Sequence, residues 1–414
     1  MTEIYDVIPD FLKIPYKTMI YHVWKLIYVI KKLLQPSLYH SYPFPTNDLY
    51  VNPNDINLWS TTAFLPVFYF KDRVIDGDWD KSTTRFEDIK LFKICEERFR
   101  ESKEWKEIPL YQEILNKIED EKGIWLYACS KEELDTVLIR MDRLYQSIKK
   151  EGYKTQRDIA TKFHKLLIKE EISINVGRDG DLLFNDGRHR LTIVKLLGIE
   201  RIPVTITVRH PEWVRFKHEI LDYTREHNGK VYTPLTHPDL QSIPSTIGHE
   251  RFKLIKNNLS TKKGTLLDIK AYWGYFCHRF EDQGFECYAV ENEPKNLYFL
   301  RKLKRAQNKQ FTVVPESIFS FYRKKSDFDV VLALGCLHHF MRTEKERLQF
   351  VDLLKTLDMK EMFFEPAPLA GPQTGEIDID IDEFVDFILK NSCLTRSKLI
   401  GYVEKTAPLI KIFQ

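Results

Sequence analysis

The sequence predicts an α/β chain in two domains, a mixed α/β domain followed by a doubly wound parallel sheet that closes with an antiparallel hairpin. Three observations carry this. The 414 residues divide into two or three units at about 100–200 residues per domain. A proline-rich stretch from His227 to Gly248, with Pro234, Pro238 and Pro244, separates two kinds of periodicity. Beyond it strands and helices alternate regularly, as in a doubly wound sheet, whereas before it their order is mixed. The boundaries expected are an arm over 1–46, a first domain over 47–228, a linker over 229–250 and a second domain over 251–414.

Composition narrows the classes. With 43% hydrophobic and 30% charged residues, 16 Gly and 19 Pro, the chain is neither disordered, collagen-like nor a multi-span membrane protein. The 63 basic residues barely outnumber the 60 acidic ones. That balance gives no basic field for nucleic acid, and no helix-turn-helix stands out. Six cysteines are scattered without a Cys-x-x-Cys pair, which favours a reducing, cytoplasmic setting over disulfides or zinc. The first ten residues are acidic and do not form a secretion signal.

In order along the chain, residues 14–34 predict one amphipathic helix, with Lys17, Tyr21, Lys25, Tyr28 and Lys32 on one stripe. Two readings are open for it: peripheral contact with anionic lipid, or docking on the protein with a solvated lysine edge. Lys25 argues against a membrane span. Phe64 to Phe70 is an edge strand because of Pro66. Phe86 to Arg100 and Lys131 to Glu151 have helical periodicity. Ile172–Val176 and Asp181–Phe184 make a hairpin around Gly177-Arg178-Asp179-Gly180. A helix from His189, a strand over 202–208 and a helix over 211–225 complete the first half. In the second half, strands are expected at 265–269, 286–290, 311–314, 328–334 and 360–364, then a hairpin at 398–403 and 409–413.

Ligands of a doubly wound sheet bind beyond the carboxyl ends of its strands. There the first strand ends in Asp268 and continues as Ile269-Lys270-Ala271-Tyr272-Trp273-Gly274, and the second ends in Glu291. An acid at that place can accept both hydroxyls of a ribose, and its separation of 23 residues from Asp268 is close to the ~20 expected. From about Leu254 to Gln414 the chain resembles the class I S-adenosylmethionine-dependent methyltransferases, whose Rossmann-like sheet ends in such a hairpin. The resemblance implies that Asp268, Tyr272, Gly274 and Glu291 hold the cofactor, with Glu316 beside the adenine. It places His338 and His339 at the methyl group and acceptor, as candidate general bases, with Glu365 as a substrate-side acceptor. The family's loop is Asp-x-Gly-x-Gly-x-Gly, and here only Gly274 of the three glycines remains. Either the loop is rebuilt around Tyr272 and Trp273, or the fold lacks cofactor.

In the first half, Asp186-Gly187-Arg188-His189-Arg190 carries a strand through a glycine turn into a helix. Helix amides and two guanidinium groups at such a place make an anion site. Residues 172–208 resemble the ParB/sulfiredoxin fold, which implies contacts from these residues to nucleotide phosphates, with ATP or CTP as ligands. The sulfiredoxin cysteine is absent. The alternating carboxylates Asp76, Asp78 and Asp80 are candidate Mg²⁺ ligands, or a solvated turn. Three functions follow: a methyltransferase on a small-molecule, glycan or lipid-linked acceptor with an accessory nucleotide-binding domain, a nucleotide-dependent phosphotransferase with an inactive methyltransferase fold, or a non-enzymatic ParB-like binding module.

Overall fold

A computed structural model of the chain describes residues 49–60, 73–119, 123–126, 128–159, 171–366, 380–404 and 406–414. The helix expected over 14–34 and the strand over 64–70 lie outside them. The chain divides into two compact units, Met1–His218 and Glu219–Gln414.

In the first unit, strands β1 (Leu49–Val51), β2 (Ile56–Trp59), β3 (Arg73–Val74), β4 (Ile172–Val176), β5 (Leu182–Asp186) and β6 (Ile202–Arg209) form one mixed sheet. Its order is β1-β6-β4-β5-β2, with β3 also on β6. The helices are α1 (Lys90–Arg100), α2 (Pro109–Glu119), α3 (Lys131–Glu151), α4 (Gln156–Ile159) and α5 (Arg188–Leu196), and α6 (Pro211–Glu226) carries the chain across the boundary at His218. The longest, α3, shows why such segments fold. The Ser130 side chain accepts from the Glu133 amide at its start, and Glu132, Glu133, Lys149 and Lys150 complement its dipole. It buries Leu134, Leu138, Met141 and Ile148 on one stripe and stops at Gly152, whose φ is 74°. The helix expected from Phe86 begins instead as a 3₁₀ turn, Phe86–Asp88, because Ile89 is extended and restarts it.

In the second unit, α7 (Glu250–Asn258) precedes β7 (Thr265–Ile269), α8 (Tyr275–Glu281), β8 (Glu286–Val290), α9 (Pro294–Ala306) and β9 (Thr312–Val314). Then come α10 (Ile318–Phe321), β10 (Asp327–Leu334), α11 (Glu344–Thr356), β11 (Asp358–Glu365), α12 (Ile381–Asn391), β12 (Arg396–Val403) and β13 (Ala407–Phe413). The sheet runs β12-β13-β11-β10-β7-β8-β9, parallel from β7 to β11, with β13 antiparallel to β11 and β12 antiparallel to β13. Neighbouring residues of one strand feed opposite cores: Leu267, Val331 and Met362 on one face, Leu266, Val330 and Phe363 on the other. Both faces are therefore covered, which is why these strands read as continuous apolar runs. The order reverses beside β7, so the carboxyl ends of β7, β8 and β10 frame the crevice where such sheets bind ligands.

The proline-rich stretch behaves differently from a linker. Val231, Leu235, His237 and Leu240 are buried, the Val231 amide donates to Pro244, and Ile247 joins the core beneath α7. Its prolines stiffen a folded extension of the second unit.

Candidate functional site

The loop between β7 and α8 is built on left-handed backbone. Lys270, Tyr272 and Gly274 have φ of 57°, 54° and 81°. These are the three positions at which the methyltransferase loop has glycines. The side chains have changed, but the glycine-like conformation remains, although left-handed backbone costs a non-glycine residue roughly 1–2 kcal/mol.

Glu291 supports this conformation. Its Oε2 accepts from the Tyr272 amide at 3.0 Å and its Oε1 from the amides of Asn292 and Glu293, both at 2.9 Å. The Ala271 amide donates to the Val290 carbonyl, tying the loop to the end of β8. The Tyr272 ring lies on Trp273 at 5.0 Å and 2°, and Trp273 in turn lies on Phe299 at 4.2 Å. Tyr232 meets the Tyr272 ring edge-on at 5.6 Å. The tyrosine is thereby held in an aromatic stack at the loop's flank. A carboxylate has about four acceptor positions and three are in use, so Glu291 keeps one for a hydroxyl. The backbone and the donor set fit the ribose end of S-adenosylmethionine.

A second buried layer lies behind the loop. Asp268 is 3% exposed, and burial, reinforced by the charge of Glu291 and opposed by Arg251, pushes its carboxyl up to about 8. It is mostly protonated at neutral pH. Arg251, on α7, donates to Glu365 at 2.6 Å, and both are 1% exposed. Burial raises the Glu365 carboxyl while Arg251 opposes the shift. Glu365, expected as a substrate-side acceptor, thus has its Oε1 on Arg251, while its Oε2 is buried without a hydrogen bond. That arginine was missed, although a cation on the same helix face as Phe252 and Ile255 is a signal the sequence contains.

The paired histidines follow β10. Gly335, with φ of 66°, leads into a 3₁₀ turn, Leu337–Met341, that carries His338 and His339 with ring centres 3.8 Å apart. Burial, then the charges of Lys270, His338 and Arg342, lower His339 to about 4. It is neutral at pH 7, an acceptor rather than a strong base. Both oxygens of Glu316, the residue expected beside the adenine, accept from the exposed Lys324, at 2.7 and 2.8 Å.

In the first unit, Gly187 caps α5 with φ of 96°, and a Cβ there would meet Ile172 at 3.1 Å and Arg190 at 3.2 Å. Asp186, Gly187, Arg188, His189 and Arg190 are together half-buried at this turn. The Arg188 guanidinium lies over Trp59 at 5.7 Å, and Arg190 stands 3.9 Å from Glu171, which also accepts from Tyr153 at 3.0 Å. The acidic turn needs correction. Arg178, from the β4–β5 turn, donates to Asp80 at 2.7 and 2.8 Å and to Asp78 at 2.9 Å, while Asp76 faces His210 at 3.4 Å. Asp76, Asp78 and Asp80 do not converge, and among the described residues no three His, Cys, Asp or Glu side chains form a metal-binding group. Guanidinium charge fills the place expected for Mg²⁺.

Residues 267–356 match the model of a family described as a methyltransferase domain. No curated protein matches the chain. Among solved structures, the bifunctional kinase-methyltransferase WbdD is 16% identical over 47% of this chain and 46% of its own, with a TM-score of 0.37. The chain thus spans less than half of that structure's length. The PH0226 protein from Pyrococcus horikoshii OT3 is 15% identical over 40% of this chain and 90% of its own, at a TM-score of 0.32. TrmK of M. capricolum, solved with S-adenosyl-homocysteine, is 14% identical over 39% of this chain and 67% of its own, at 0.29. The family match spans the left-handed loop, Glu291 and the paired histidines, so this stretch of the second unit is similar to a methyltransferase domain.

Proposed function

We propose that the chain is an S-adenosylmethionine-dependent methyltransferase for a small-molecule, glycan or lipid-linked acceptor, with the first unit as an accessory nucleotide- or phosphate-binding domain. The observation that carries the reading is the loop, whose left-handed residues recur at 270, 272 and 274 while Glu291 accepts the middle amide. Glu291 would hold the ribose and the loop amides the amino-acid end, with Asp268 buried behind them. When bound, the cofactor supplies an electrophilic methyl group. The protein's part is to orient the acceptor and exclude water. His339, neutral and beside Lys270, suits acceptance of a hydrogen bond from an acceptor hydroxyl or amine, with His338 next to it. Arg251 and Glu365 fix the floor behind them.

For the first unit the reading rests on the resemblance to the ParB/sulfiredoxin fold and on a helix N-terminus opening with Arg188 and Arg190. The phosphotransferase alternative would need a cation site that the turn at Asp76–Asp80, tied to Arg178, does not provide among the described residues. Calorimetric titration with S-adenosylmethionine tests the main proposal. We expect binding by the full chain and a loss of about 10- to 100-fold in Glu291→Ala, the value of a hydrogen bond to a charged group. Absence of binding at millimolar ligand overturns the reading and leaves the fold without its cofactor.

A further inference from the structure

Away from the sheet edge, the second unit contains a cavity of about 370 Å³ bounded by the proline-rich extension, the start of α7 and the outer flank of α8. Its wall includes Thr236, Gln241, Ser242, Ser245, His249 and Arg279, with prolines and aliphatic side chains between them. The volume falls at the lower end of the ~300–1,000 Å³ typical of small-molecule sites. We propose that this cavity binds a small molecule through an oxyanion, a phosphate or a carboxylate, held by Arg279. The proposal does not rest on the methyltransferase reading.

The charge balance of the wall carries the argument. Arg279 is half-buried, its Nε is buried without a hydrogen-bond partner, and the guanidinium pairs with no carboxylate among the described residues. Its Cζ lies over the Phe252 ring at 4.8 Å, a contact that helps to hold the guanidinium in place at the wall. A half-buried guanidinium that faces no carboxylate is a ready donor, and a ligand carboxylate or phosphate accepting from it makes a charge-assisted hydrogen bond. No acidic residue lines the cavity, and Glu250, whose charge acts on His249 against that of Arg279, stands outside the wall.

The remaining groups suit the same ligand. The His249 Nδ1 lies 2.8 Å from the Tyr275 hydroxyl. With that hydroxyl donating, the neutral imidazole carries its proton on Nε2, a second N–H donor. Burial, then the charge of Arg279, keeps the His249 ring neutral, in line with this tautomer. Thr236 and Ser242 add hydroxyls, and Gln241 is oriented by its bond to the Thr236 carbonyl at 3.3 Å. Pro234, Leu235, Ile243 and Pro244 offer an apolar face to the carbon part of the ligand. Tyr275 directly follows Gly274, and Arg279 lies one turn further along α8, so an occupant would press on the helix that ends the 270–274 loop.

The test is hydrogen exchange on the full chain with inorganic phosphate and, separately, acetate, each against chloride at equal ionic strength. The peptides covering 234–249 and 275–281 report this cavity, and those around 186–190 report the turn in the first unit. We expect saturable protection of the first set in the wild type. Phosphate acting alone identifies a phosphorylated ligand, and acetate acting as well identifies the wider carboxylate class. Arg279→Gln should weaken the midpoint by about 10- to 100-fold, as for loss of a charge-assisted bond. Arg279→Lys should weaken it less, and Arg190→Ala should leave it unchanged. Absence of protection at 234–249, or equal protection in a folded Arg279→Gln, overturns the proposal. Should Arg279→Gln fail to fold, Arg279→Lys decides: a midpoint equal to wild type overturns the need for the guanidinium fork.

Discussion

Lys270 joins two functions that a glycine would keep apart. Its backbone is left-handed and its side chain exposed, so the strain is not offset by packing. Its charge also reaches His339, where it is second only to burial in lowering the imidazole. Lys270→Gly should therefore stabilise the second unit by up to about 1 kcal/mol, the relief of left-handed strain less the entropy that glycine adds to the unfolded chain. Urea unfolding measures that term. The same variant should move His339 upward from about 4, read by an NMR titration of the ring. A stability gain without the histidine shift would mean that the two residues are not electrostatically linked. Tyr272 differs from its neighbour, since its ring is locked on Trp273 and a glycine there would lose the stack.

Among elements, those that bury alternating faces were legible and those fixed by distant partners were not. Strands β7 and β8 fall on the residues their sequence predicts, because both faces are apolar and a turn bounds each end. In the first hairpin β4 falls on its expected residues and β5 is shifted by one or two, with the turn pinned by the Gly177–Asp181 hydrogen bond. The ends of β7 and β8 carry Asp268 and Glu291, the residues expected there from the sequence, into the candidate site. The shape of the loop was not legible, since Lys and Tyr give no local signal for a left-handed backbone. Nor was the turn at Asp76–Asp80, whose partner Arg178 is 98 residues from Asp80. There, burial raises the Asp80 carboxyl, but the hydrogen bonds and charge of Arg178 prevail and hold it below its ordinary value. Asp80's side chain is 4% exposed, so Arg178→Ala removes its guanidinium partners, leaves only the amide of residue 178, and should cost about 1–3 kcal/mol. Millimolar Mg²⁺ should leave the melting temperature of the wild type unchanged. A magnesium-dependent rise that Arg178→Ala enhances would restore the cation site.

For the molecule as a whole, a formal charge of +3 leaves little net repulsion to drive unfolding, so pH dependence falls to buried groups. Two in the second unit act in opposite senses. Burial, then the nearby Lys309, His237 and Lys304, lowers His278 from 6.5 to about 3. The unfolded chain takes up this proton first, so the stability tied to the neutral ring is complete above 6.5 and is lost as pH falls towards about 3. Asp268 is raised from 3.8 to about 8, so its contribution is complete below 3.8 and is lost as pH rises to about 8. Each unmatched proton gives a slope of about 1.4 kcal/mol per pH unit. Between 3.8 and 6.5 the two slopes oppose each other and nearly cancel, whereas from 6.5 to about 8 only that of Asp268 remains. The second unit should therefore weaken by roughly 2 kcal/mol over that upper interval, a decline that Asp268→Asn removes and His278→Gln leaves in place. Conversely, His278→Gln should flatten the decline below 3.8. Urea unfolding of the full chain along a pH series, taken as variant minus wild type, cancels every other titrating group. Parallel curves for Asp268→Asn and wild type between pH 6.5 and 8 would show that the Asp268 carboxyl is ionised in the folded protein, and would remove the protonated acid behind the cofactor loop.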